Sequence, residues 1–132
     1  LWKLLCDPGD VVLVPTPSYP LFELLAAFEG VRLRPYRLAY DGRWHIDFTS
    51  VDLTDVRAVV LVNPNNPTGH LVDREDLEKL ARLTSAAGAA LVADEVFRDY
   101  VAATPIGGVR SLLSCRMPNL TFVLGGLSKS CG

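Results

Sequence analysis

Cysteine is scarce in this chain and long apolar runs are absent, and each shortage removes a class of protein. Cys6, Cys115 and Cys131 form no close pair and no metal-ligand spacing, and an odd number argues against a disulfide framework. A reducing compartment suits them, and no metal site is expected. No apolar run approaches the length needed to span a bilayer, and no basic segment leads into an apolar signal core. Neither sign of charge dominates: the formal net charge is -2, with acidic and basic residues interspersed, which gives no reason to expect nucleic acid or an anionic membrane as partner. No Gly-x-Gly-x-x-Gly turn follows a strand, so a dinucleotide-binding module is poorly supported. These absences leave a soluble, cytoplasmic protein with a small-molecule site as the expectation.

What remains is enough for a core. The 132 residues fit within one domain, 49% of them are hydrophobic, and there is no internal repeat, low-complexity tract or domain linker. Leu1 to Leu5 reads as the tail of a helix, and Asp7-Pro8-Gly9-Asp10 as a tight turn before the apolar strand Val11 to Val14. Pro15, Pro17 and Pro20 then predict a loop, and Leu21 to Phe28 a helix that Gly30 can stop. Val31 to Arg34 alternates as a half-exposed strand running on past Pro35 toward Leu38, with a turn at Asp41-Gly42. His45 to Asp55 carries no clear pattern.

Arg57 to Val62 is continuously apolar after its first residue, as a strand covered on both faces should be. Asp73 can cap a helix with Leu77, Leu80, Ala81 and Thr84 on one side and Gly88 at its end. Ala89 to Ala93 reads as the next strand, Val109 to Leu113 as a short helix, and Leu120 to Leu124 as the last strand. This alternation predicts an α/β fold, a mostly parallel sheet flanked by helices.

Three polar groups follow apolar strands: the amides of Asn63-Pro64-Asn65-Asn66-Pro67-Thr68-Gly69, the carboxylate of Ala93-Asp94-Glu95-Val96, and the amine of Gly126-Leu127-Ser128-Lys129. The carboxyl edge of a parallel sheet is where open α/β folds bind ligands, so an amide, an acid and a lysine there could surround a small aromatic cofactor. Lys129 is one of three lysines, and its small, apolar neighbours predict a partly desolvated ammonium suited to nucleophilic work. Asp94 could pair a cation or cap the next segment, and Asn66 could bind a ligand or shape a rigid turn. Tyr19, between Ser18 and Pro20, could stack on a ring or pack between loop and helix.

The order and wording of these motifs resemble the pyridoxal-phosphate-dependent aminotransferases of class I/II. The resemblance covers nearly the whole chain and implies that residues 1–132 are part of the large, cofactor-binding domain of a longer fold-type-I enzyme, with no second domain in this stretch. It implies a Schiff base between Lys129 and pyridoxal 5'-phosphate, Asp94 at the pyridine nitrogen, Asn66 at the phenolic oxygen O3′ and Tyr19 against the ring face. Asn63 and Asn65 would shape the loop, and Glu95 would be structural or on the surface. An amino acid and a 2-oxo acid are the implied substrates, and a homodimer the implied assembly. Phosphate- and carboxylate-binding groups would lie upstream of Leu1 and downstream of Gly132. Two departures stand out: Phe97 occupies the place of a tyrosine that donates to O3′ in many members, and Gly126 that of a serine that some use to hold the phosphate. A fold-type-I lyase and a non-catalytic α/β scaffold are the alternatives.

Overall fold

The computed structural model describes residues 1–131. Six strands form one sheet in the order β3-β2-β1-β4-β5-β6, where β1 is Val11–Thr16, β2 Arg32–Tyr40, β3 Trp44–Ile46, β4 Val56–Val62, β5 Ala90–Asp94 and β6 Thr121–Leu124. All neighbours are parallel except β2 and β3, a hairpin pairing Leu38 with Ile46 and Tyr40 with Trp44. Two longer helices cover the sheet: α2, Leu21–Glu29, follows β1, and α3, Arg74–Ala86, follows β4. The short helices α1, Trp2–Leu5, and α4, Leu127–Ser130, lie at the two ends of the described chain.

The order of strands carries a functional consequence. From β1 the chain moves outward to β2, and from β4 it moves the opposite way to β5 and β6. The direction of winding therefore reverses between β1 and β4, the switch point beside which open α/β sheets place their ligands.

Side-chain alternation splits the core in two. Leu13, Val59, Leu61, Leu91 and Ala93 face α3, whose Leu77, Leu80, Ala81 and Thr84 recur at helical spacing and are buried. Val12, Val14, Ala58, Val60, Val62, Ala90 and Val92 face the other way, toward Trp2, Phe22 and Ala26. Gly30 ends α2 in the left-handed region at φ 66°, a conformation that costs glycine little.

The strands, helices and turns predicted from the sequence are present, with four differences. β1 runs through Pro15 to Thr16 rather than yielding to a loop at the proline. Its ladder to β4 ends at Leu13, and Pro15 brings no N–H, so the buried Tyr36 hydroxyl donates to the Val60 carbonyl instead, at 2.8 Å. Trp44–Ile46 forms the edge strand β3, held by a hairpin partner that local pattern does not reveal. Asp73 occupies the N-cap position of α3, but its carboxylate pairs with Arg43 at 2.8 Å rather than capping the helix. Last, Val109 to Leu113 becomes a 3-10 turn at Leu112–Ser114, capped by the Ser111 hydroxyl.

Candidate functional site

Register sets the site. Val62, Asp94 and Leu124 stand side by side at the carboxyl ends of β4, β5 and β6, and the loops that follow carry Asn66, Val96-Phe97 and Lys129. Tyr19 follows the end of β1. The fold therefore brings all four sequence-predicted residues to one edge, with Tyr19 and Asn66 on the two sides of the switch point.

Asp94 and Glu95 show how alternation divides labour. Asp94 continues the Ala90, Val92 row and lines a groove of about 630 Å³ with Trp2, Phe22, Phe28, Val92 and Leu124. Among the described residues its carboxylate accepts a single protein hydrogen bond, from the Val96 N–H at 3.2 Å. Burial pushes its carboxyl above the usual aspartate value, and that single bond offsets the push only in part. Glu95 turns to the opposite face, where it is buried and accepts from the Ser111 hydroxyl and the Leu112 N–H, each at 2.7 Å. Its role is structural.

The Asn-Pro loop divides in the same way. Asn63 is fully buried: its amide donates to the Val109 carbonyl at 2.8 Å and its oxygen accepts from the Val72 N–H at 2.9 Å. Asn65 donates to the Pro17 carbonyl at 3.1 Å and to Thr68 Oγ1 at 3.0 Å. Asn66 is half-buried, and among the described residues its side chain has no hydrogen-bond partner. Fixed neighbours thus hold one uncommitted amide at the sheet edge.

Lys129 lies in α4 and is exposed rather than desolvated, because no element among the described residues covers this turn. Its Nζ lies 5.4 Å from the centroid of the Phe97 ring, a cation–π distance. Phe97 in turn meets the edge of Tyr100 at 5.9 Å. The Ser130 hydroxyl anchors the turn by donating to Asp99 at 2.7 Å, a bond that lowers the Asp99 carboxyl below its ordinary range. A Cβ at Gly126 would stand 3.2 Å from Val96 Cγ1, which gives a local reason for glycine where some family members carry serine.

Tyr19 is 55% exposed and lines a separate shallow depression with Pro15, Ser18 and Phe22, not the Asp94 groove. Neither the bonding of Asn65 nor the apolar groove beside Asp94 is visible in motif spacing.

A model of the family "Aminotransferase class I and II" matches residues 1–132. The chain belongs to that family. It is 32% identical to bovine tyrosine aminotransferase over 129 residues, covering 96% of the chain and 28% of the relative. An alanine aminotransferase from Pyrococcus furiosus superposes with a TM-score of 0.82 at 32% identity, covering 96% of the chain and 32% of that structure. A PLP-bound C-S lyase from Staphylococcus hominis superposes with a TM-score of 0.68 at 27% identity, covering 72% of the chain and 26% of that structure. The chain thus spans less than a third of each of these three proteins, and its sheet and helices are those of fold type I.

Proposed function

We propose that this chain forms part of the large domain of a pyridoxal-phosphate-dependent aminotransferase that moves an amino group between an amino acid and a 2-oxo acid. The observation that carries the proposal is Asp94: a half-buried carboxylate with one protein hydrogen bond, at the end of a parallel strand, in a family of aminotransferases. A ring N–H⁺ beside it would offset the cost of its burial, so the residue fits the group.

Asn66 offers an amide without a partner among the described residues for the cofactor's phenolic oxygen, and Tyr19 an exposed ring for a face contact. Lys129 presents an amine with no acidic partner within salt-bridge distance among the described residues, free to hold the cofactor covalently and then to carry a proton at the substrate Cα. When bound, pyridoxal phosphate supplies the electron sink for cleavage at that carbon. Asp94 would hold a proton on the ring nitrogen and so keep that sink effective. Phe97 gives the phenolic oxygen no hydrogen bond, which leaves Asn66 as its donor from this stretch.

Absorbance of the complete protein with added pyridoxal phosphate, beside Lys129→Ala, tests this reading. A band near that of a lysine-bound cofactor, abolished by the substitution and shifted by an amino acid, is expected; no such band in the parent sinks the proposal. The likeness to a C-S lyase favours a second reading, in which the same residues activate Cα and a different bond breaks. A 2-oxo acid produced in step with amination of a second oxo acid separates transfer from lysis. We further propose a cytoplasmic homodimer, on the unpaired cysteines and the family resemblance, with sizing chromatography to test the assembly.

A further inference from the structure

One side chain bridges the switch point. Asn65 is 3% exposed, and its Nδ2 donates both to the Pro17 carbonyl, in the loop that presents Tyr19, and to Thr68 Oγ1, in the loop that presents Asn66. Its backbone closes the second loop from within: the Asn65 N–H donates to the His70 carbonyl at 2.8 Å, and its carbonyl accepts from the Gly69 N–H at 2.7 Å. Across the same gap the β1 and β4 ladder has already ended at Leu13. Beyond that point the sheet supplies no backbone bond to keep the two loops in register.

A second observation marks the same place. Among the described residues, the buried side-chain polar atoms without a partner are Ser18 Oγ, Asn65 Oδ1 and His70 Nε2, and all three lie in these two loops. Unsatisfied buried groups are uncommon and gather where a structure serves function at the expense of local comfort.

We propose that Asn65 is a positioning residue, which sets Tyr19 and Asn66 relative to each other by tying their loops together through its amide N–H groups. The proposal rests on the cofactor-binding reading above for what the two residues do, but the tie itself is a property of the protein alone.

Hydrogen exchange of the complete protein without cofactor tests the tie. Asn65→Ala, and the isosteric Asn65→Asp, which lacks the donors, should speed exchange about tenfold in both residues 16–20 and 65–70 while α3 keeps its protection. Thr68→Val, which leaves the bond to Pro17 in place, should loosen only the second loop. With pyridoxal phosphate, both Asn65 variants should bind about tenfold more weakly and shift the pH midpoint of the cofactor absorbance, which a remote structural defect would leave in place. Unchanged exchange in residues 16–20, or an unchanged midpoint and affinity, overturns the proposal. A parent with no lysine-dependent band instead overturns the aminotransferase reading, and the exchange data still decide the tie.

Discussion

On the α3 side of the sheet, Leu13, Leu61 and Leu91 meet Leu77, Leu80 and Leu112, and the face is closed. On the α2 side, alternate residues of the same strands are Val12, Ala58, Val60, Ala90 and Val92, and the helix set against them leaves Leu25 and Phe28 exposed beside the groove. The carboxylates divide likewise, with Glu95 bonded into the closed face and Asp94 at the mouth of the open one. Residue size on alternate positions therefore sets how tightly a helix can close over each face.

Substitutions can break that contrast. Leu80→Ala, at a fully buried position on α3, should cost about 3 kcal/mol in denaturant unfolding. Glu95→Ala should cost about 2 kcal/mol by leaving the Leu112 N–H and the Ser111 hydroxyl without their acceptor. If both changes prove mild, the closed face is not what holds the fold. Phe28→Ala on the open face removes a side chain 75% exposed, and its cost should stay below about 0.5 kcal/mol; a loss as large as that of Leu80→Ala would mean the groove is covered in the complete protein.

The smallest effect is the pH dependence contributed by Asp94. Its folded carboxyl is raised above the unfolded value, so the folded state gains relative stability as pH falls through that window and loses it as pH rises and the group ionises. Asp94→Asn should remove this slope. Without cofactor, the variant should gain over the parent from the ordinary aspartate range upward, modestly because the site is partly open to solvent. Thermal unfolding across that range checks the sign, and a parent that gains on the variant as pH rises would reverse it. The same change should weaken cofactor binding.

Much of this division is legible in the sequence because it follows from period and punctuation. The buried runs Val11 to Val14 and Ala58 to Val62, the α3 stripe from Leu77 to Thr84 and the three polar strand ends are all visible without coordinates. What escaped was settled by partners distant in sequence. Trp44–Ile46 is a strand because β2 offers an edge. Lys129 is exposed because nothing among the described residues covers its turn, although its neighbours are small and apolar. Asn65 looks like one more loop amide until the Pro17 carbonyl appears opposite it. Motif spacing reveals which groups reach the edge, but not which of them are already committed to hydrogen bonds.

Pro15 and Tyr36 share one carbonyl. The proline leaves the Val60 carbonyl without an N–H from β1, and the phenol, itself buried and for that reason harder to ionise than an ordinary tyrosine, fills the gap. The two positions therefore represent a single decision. Phenylalanine at 36 would strip the Val60 carbonyl of its phenol donor while Pro15 still has no N–H to offer, so the two side chains constrain each other across the sheet.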